Sequence, residues 1–600
     1  MAPLITFLSV LTCLFFQTAC AFAPSSEHST LPTRGDYSFL REQISHLIQK
    51  KMKKDDITGL SIAVVDDQKI IWADGFGWAD KKNKIKATPE TVYRVGSITK
   101  LFTVTAAMQL AEQGKLDIDK PLHKALPQFS MKSHFEKSGS ITPRNIMTHH
   151  SGLPSNYMQG MWSKQPDAFT HLVDRLQDEY IAYPSDTVFC YSNLAMTLLG
   201  HALQEVTGRP YGELISQKLL IPLAMSDSYI ANTLKDEPQS SKGYAESEET
   251  IAIPLRDLPA GGLNSTVLDL ANLAKMVFAG GRFDNRQIIR TATLEEMMQF
   301  QDGNAPFDLE KQMGLGWFLK KQKGDDAGLK AMHGGDTFLF HSMLMTLPRH
   351  QLAVIVLANS ESAGNAVSEI AEDTLKLALQ VKTGIVTEDD DKKISGAELP
   401  AKPEDLDGFP GYYFTVMGLV RIMRDGDQLQ LISDEDTLQL ILHQDGQYHL
   451  QYKLFGLFPI DLEELEEIGI NHAEVNGLEV LVGTFRGQKI MLGEKIEPQP
   501  IAASWKNRIG AYEVIRPQSG MVVTNPELRL IDGFLMFRFS AHLPYQKDDE
   551  EVSRFALNAI NDRNAVVYGH GSDLGETIRV VQQNGEELLA WSGYLLRRVR

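Results

Sequence analysis

Cysteine is scarce in this chain: three in 600 residues, with Cys13 and Cys20 both inside the first twenty. Only Cys190 lies in the body of the sequence, so no disulfide framework holds the fold together. Basic charge is also short. Lys and Arg number 59 against 77 Asp and Glu, a formal charge of −18, which argues against nucleic acid as a partner. Beyond residue 23 no long apolar run recurs, so no membrane span is expected. Gly-x-Ser-x-Gly, His-Glu-x-x-His and Gly-x-x-x-x-Gly-Lys-Ser/Thr are all missing, which leaves α/β-hydrolase, zincin and P-loop readings without support. Adjacent His149 and His150 point to different sides of the chain and make a poor metal pair. No cofactor is expected.

What is present begins with an apolar run from Leu4 to Ala23 that closes on small residues. It reads as a signal segment over 1–23, although its start carries no Lys or Arg. Cys20 offers the alternative of a lipoprotein cysteine. An exported protein is expected on either reading, periplasmic or secreted, with a membrane tether only if Cys20 is lipidated. Six hundred residues exceed one core. Residues 24–36 are rich in Pro, Ser and Thr and read as a tether, and 37–385 form the first domain. Residues 386–404, charged and Pro-containing, read as a linker.

Within 37–385 the pattern predicts a helix to about Lys53, then strands at 59–65 and 69–73 around Asp66-Asp67. A largely helical stretch follows, with one clear helix from Val267 to Phe278. Strands return at 338–347 and 352–357 before a helix over about 365–379. Strands at both ends with helices between imply an α+β fold, a mixed sheet flanked by helices. Residues 405–600 alternate in short runs separated by Asp425-Gly426-Asp427 and Asp445-Gly446, which predicts an antiparallel, barrel-like β region. Gly411-Tyr412-Tyr413 and Gly510-Ala511-Tyr512 suggest two similar halves.

Chemistry points to Ser97-Ile98-Thr99-Lys100, the one Ser-x-x-Lys in the sequence, which opens an apolar helix. A serine hydroxyl needs a base and a site for developing negative charge. A lysine stripped of water loses pKa and becomes that base. By itself the motif fits a surface lysine near an N-cap serine equally well. Partners appear later. Tyr191 can relay a proton between Ser97, Lys100 and a leaving group if a nearby cation lowers its pKa. Asn193 can orient Lys100 and hold a substrate amide. His333-Gly334-Gly335-Asp336 is expected to begin an edge strand where glycines admit a substrate backbone. The Asp336 and Ser97 N–H groups then form an oxyanion hole. His333 is expected to donate to a substrate carboxylate or to Tyr191.

Ser97/Lys100, Tyr191/Asn193 and His333/Gly335, in that order, resemble the serine β-lactamase and penicillin-binding-protein superfamily, in its class C β-lactamase-like branch. Gly75-Phe76-Gly77, Ile141 to Pro154 and Pro259-Ala260-Gly261-Gly262-Leu263 are similar to family segments as well, so the likeness spans about residues 37–382. It implies a serine hydrolase acting through an acyl-enzyme, with Ser97, Lys100 and Tyr191 catalytic and Asn193, His333, Gly334 and Gly335 on the substrate. Lys382-Thr383-Gly384 spells the family's third motif too. It follows the terminal helix and opens no strand facing the serine, so His333 takes that place. Histidine there is similar to the branch's esterases and D-amino-acid peptidases and departs from its β-lactamases. The C-terminal region resembles lipocalin-like domains appended to such peptidases. The implied substrate is a small molecule or peptide containing D-residues, cell-wall fragments included, with small esters or β-lactams as alternatives. A non-catalytic penicillin or cell-wall-fragment binding module is the alternative of another class.

Overall fold

The computed structural model describes residues 34–599 except 302–304, 310–311, 323–325, 388–397, 403–405, 416–417, 434–436, 455–457, 461–467, 486–487, 516–520 and 544–551. The signal segment, most of the tether and most of the 386–404 linker lie outside the described residues. Among those described, no helix is long and apolar enough to cross a membrane.

Helix α1 (Tyr37–Lys54) starts on the Asp36 side chain, which accepts the Ser38 N–H. Strands β1 (Gly59–Asp66), β2 (Lys69–Asp80) and β3 (Ile85–Lys86) follow, then helices α2 (Thr99–Glu112), α3 (Asn193–Thr207) and α4 (Val267–Phe278). Strands β4 (Phe318–Lys321), β5 (Leu329–Asp336), β6 (His341–Leu347) and β7 (Leu352–Ala358) precede the final helix α5 (Gly364–Thr383). The sheet order is β4-β5-β6-β7-β1-β2-β3. Every ladder in it runs antiparallel.

Period-two alternation sends β1 into two cores. Leu60, Ile62 and Val64 face α1 and α5, while Ala63 and Val65 face the side that holds α2, α3 and α4. Each fully buried aliphatic chain contributes about 1.5–3 kcal/mol, and α2, buried along most of its length, lies in the second of these cores. That burial places the N-terminus of α2 against the end of β5, and Gly114, at φ +65°, closes the helix as a left-handed cap.

The C-terminal region holds two closed barrels. Eight strands between Gly411–Thr415 and Gln488–Ile496 close the first, with a short strand, Phe458–Ile460, beside it. Eight more, from Gly510–Val514 to Tyr594–Arg598, close the second. Gly411 and Gly510 each open their barrel at a left-handed φ, 149° and 145°. The tyrosine two residues on repeats one bond: Tyr413 donates to the Phe409 carbonyl and Tyr512 to that of Arg508.

Candidate active site

Ser97 sits in a 3-10 turn, Gly96–Ile98, immediately before α2. This shifts it one step ahead of the helical turn the sequence suggests. Gly96 takes φ +49°, and a Cβ there would lie 2.7 Å from the Asp336 nitrogen. A Cβ on Gly335 would lie 2.0 Å from the Val95 oxygen and 2.9 Å from the Ser97 nitrogen. The two glycines thus let the serine turn and strand β5 meet backbone to backbone.

Lys100 is fully buried. Its Nζ lies 2.9 Å from Ser97 Oγ, 2.8 Å from Asn193 Oδ1 and 2.9 Å from the Ala260 carbonyl. Burial holds its pKa well below the ordinary lysine value, with Asp257 opposing the shift. The contacts fit a neutral amine. Two hydrogens go to the two strict acceptors, and the lone pair is left facing the serine hydroxyl. That is the arrangement of a general base on its nucleophile.

The Tyr191 ring packs tilted against His149, with centroids 4.3 Å apart, and stacks on Phe318 at 6.4 Å. Burial raises its pKa above the usual phenol value, while a hydrogen bond with Ser97 opposes that. The expectation that a cation lowers this pKa is therefore corrected. The nearby amine is Lys100, held below its usual pKa, and burial favours Tyr191 as a neutral phenol. Asn193 orients Lys100 through Oδ1 and donates from Nδ2 to Asn156 Oδ1 (2.9 Å), so one of its two amide hydrogens is already committed.

His333 differs most from expectation. It lies inside β5, four residues past the strand's start, and β5 is flanked by β4. The site opens because β4 pairs only with Leu329 to Met332, leaving Gly334 and Asp336 beyond the edge strand. His333 Nδ1 lies 2.6 Å from the Gly334 carbonyl and so carries the hydrogen, leaving buried Nε2 as an unpartnered acceptor. Burial, with Lys100 nearby, lowers its pKa to about 3. A neutral acceptor supplies neither a cation nor a hydrogen to a substrate carboxylate. The predicted donation is overturned by burial.

Asp336 brings its main-chain nitrogen to the serine turn, where an oxyanion-hole donor is expected. Thr337 N–H donates to the Phe340 carbonyl across the hairpin. By antiparallel alternation the Asp336 N–H then points away from β6, toward the open edge beside Ser97. Lys382, the rejected third-motif lysine, pairs with Asp66 Oδ1 and the His350 carbonyl, both at 2.6 Å. Its neighbour Gly384 is the left-handed cap of α5.

Several members had no sequence signal. Asn156 is reached only through the fold, and the Ala260 carbonyl, though inside a family-like segment, carried no sign of its bond to Lys100. The least foreseeable is a loop of the second barrel, His570 to Glu576. Ser572 Oγ accepts the Tyr191 N–H at 2.9 Å, and Ser155 Oγ accepts the Asp573 N–H at 2.8 Å. Asn156 Nδ2 donates to Asp573 Oδ1 at 3.3 Å. A chain of hydrogen bonds therefore runs from Ser97 through Lys100, Asn193 and Asn156 to Asp573, whose side chain is exposed.

A protein-family model described as Beta-lactamase matches residues 44–378, more than half of the chain. Protein flp of Staphylococcus aureus is 27% identical over 338 residues, 54% of this chain. The match spans 64% of that relative, just under two thirds of its length. Among solved structures, SurE superposes with a TM-score of 0.55 at 22% identity, over 77% of this chain and all of its own. A second structure of SurE, with D-Leu, gives 0.53 at 20% identity, over 76% and all respectively. At these identities the two structures speak for the fold alone.

Proposed function

The chain belongs to the beta-lactamase family, whose members are serine acyl-transferring hydrolases, and from that premise we propose that it is an exported peptidase or amidase that takes small D-residue substrates bearing a free amine. One observation carries the catalytic half of this reading: the three contacts of Lys100 Nζ suit a neutral base directed at Ser97 Oγ. Lys100 takes the serine proton as Oγ attacks the carbonyl. The Ser97 and Asp336 N–H groups hold the oxyanion, and Tyr191 protonates the leaving group. The same relay activates water against the acyl-enzyme.

Two features support an amine as the recognised group. Neutral His333 has no charge to offer a carboxylate, which weighs against penicillins and against peptides bound by their C-terminus. Asp573 instead presents a carboxylate near Tyr191 and Asn193, suited to an ammonium group. The D-residue preference draws on the likeness to peptidases with His at the third motif, and on the fold neighbour SurE being found with D-Leu. Export rests on the 1–23 segment, and fractionation of cells expressing the full chain tests it. The catalytic reading is tested by intact mass after incubation with a fluorophosphonate. One adduct on Ser97, absent from Ser97→Ala, is expected. A folded protein that takes no adduct would favour the binding module.

A further inference from the structure

The Asp336 N–H is useful to the reaction only if its peptide plane is held, and Asp336 is the last residue of β5, where the ladder ends in a turn. Its register partner across the hairpin is His341, the first residue of β6, which is 5% exposed. The ring of His341 is surrounded by acceptors. Nδ1 lies 2.9 Å from Asp336 Oδ2, a close ion pair rather than an aligned hydrogen bond. Nε2 lies 3.1 Å from the Phe338 carbonyl and 3.0 Å from that of Glu361. A carbonyl oxygen cannot donate, so Nε2 carries a hydrogen, and the carboxylate facing Nδ1 calls for a second one there. These contacts suit an imidazolium. The ring ties the end of β5 to the 361–364 turn that leads into α5. The other carboxylate oxygen of Asp336 accepts the Phe338 N–H at 2.8 Å, so the pair adds a side-chain tie to a turn that Thr337 N–H and the Phe340 carbonyl already close through the main chain.

We propose that His341 is a positioning residue for acyl transfer: it grips the Asp336 carboxylate and so aims the Asp336 N–H at the oxygen of the carbonyl that Ser97 attacks. This rests on the serine-hydrolase reading and adds a residue that touches no substrate. Burial opposes the charge on His341, yet Asp336 and the two carbonyls hold its pKa above the ordinary histidine value. Among the described residues the charged side chain in contact with it is Asp336. From the 361–364 turn it meets the Glu361 carbonyl. Activity should accordingly fall as pH rises through that raised pKa, when the ring loses a proton and the grip loosens.

The test compares wild type with His341→Gln and His341→Leu, using a chromogenic amide and the rate of fluorophosphonate labelling. Both variants are first checked for wild-type circular dichroism and melting. A tenfold or larger fall in kcat is expected, with KM within about twofold, and the His341 part of the alkaline limb should disappear in both. Leu should be worse than Gln, which keeps one donor. A wild-type kcat and an unchanged pH profile in His341→Gln would overturn the proposal. So would a loss of activity that merely tracks a lowered melting temperature, and Asp336→Asn serves as a second variant for that case, because it removes the ion pair and keeps the main-chain N–H. Wild type that takes no label on Ser97 would instead defeat the serine-hydrolase reading, a distinguishable outcome.

Discussion

Replacing Asp573 by Asn removes one negative charge and almost nothing else. The Asp573 N–H still reaches Ser155 Oγ, and an Asn oxygen can still accept from Asn156 Nδ2. The loop should therefore stay in place while the field at the site mouth changes. A carboxylate and an ammonium 4 Å apart attract by about 4 kcal/mol at an effective dielectric near 20, and by about 1 kcal/mol in bulk water. Asp573 is exposed at its tip although the loop packs around it, so the effect should fall between these limits, at about 1–3 kcal/mol. That is about five- to 150-fold in kcat/KM. The assay pairs a D-aminoacyl p-nitroanilide bearing a free amine with its N-acetyl analogue. Wild type should prefer the free amine by that factor, and Asp573→Asn should erase the preference chiefly by slowing the amine substrate. Salt should weaken the preference in wild type only. Burial raises the Asp573 pKa, with Asn156 and Ser155 opposing, so the preference should also fade as pH falls through that value and the carboxylate protonates. A free-amine preference that survives Asp573→Asn at low salt would refute the assignment.

Lys100 works with its lone pair free, so kcat/KM should fall as pH drops through its lowered pKa and the amine takes a proton. Lys100→Arg, which cannot deprotonate, should lose about a thousandfold or more in stopped-assay turnover. Gly335→Ala places a methyl group 2.0 Å from the Val95 oxygen and should push the serine turn off β5. A hundredfold drop in fluorophosphonate labelling is expected, and near-normal labelling would contradict the close approach. Lys382→Ala should leave kcat unchanged. It removes a partly exposed pair with Asp66 and should cost about 0.5–1 kcal/mol in denaturant unfolding, whereas loss of turnover would return the third motif to 382–384.

The nucleophile and base were legible because their spacing is local. Three residues apart at a helix start, Ser97 and Lys100 meet whatever the rest of the chain does, and the helix from Val267 to Phe278 declares itself by periodicity in the same way. The Gly-x-Tyr signals also fell where strands begin. Each turn needs its glycine, at φ 149° and 145°, and each tyrosine returns to the carbonyl four residues back. The electrostatic state of the site was not legible. His333 and Tyr191 have ordinary solution pKa values that burial chiefly displaces, with Lys100 adding to the shift at His333, and burial is a property of the packed sheet. The strand start expected at His333 failed because β5 begins four residues earlier, at Leu329, where Phe318 to Lys321 pairs with its first half and leaves 333–336 as the open edge. Ser572 and Asp573 were out of reach altogether. Both are more than 380 residues from Tyr191, and no periodicity connects a barrel loop to a helix start.

That barrel loop is built as a fixed wall. His570 stacks between Tyr183 and Phe307, with centroids 5.5 and 4.3 Å away. Its Nδ1 lies 2.9 Å from Glu494 Oε2 on the first barrel, so one side chain joins both barrels to the catalytic domain. Tyr183 donates toward the carbonyls of Gly569 and Gly571, and a Cβ on Gly575 would collide with its ring at 2.6 Å. Arg579 adds a two-pronged pair with Glu179, at 2.6 and 3.2 Å. With stacking, hydrogen bonds and an ion pair all closing on the same few residues, opening the loop means breaking several buried contacts together. On the proposed reading recognition is divided, with Ser97, Lys100 and Tyr191 drawn from the family domain and the Asp573 charge from the second barrel. Exchanging that loop should therefore change which substrates are accepted while leaving the labelling chemistry of Ser97 intact.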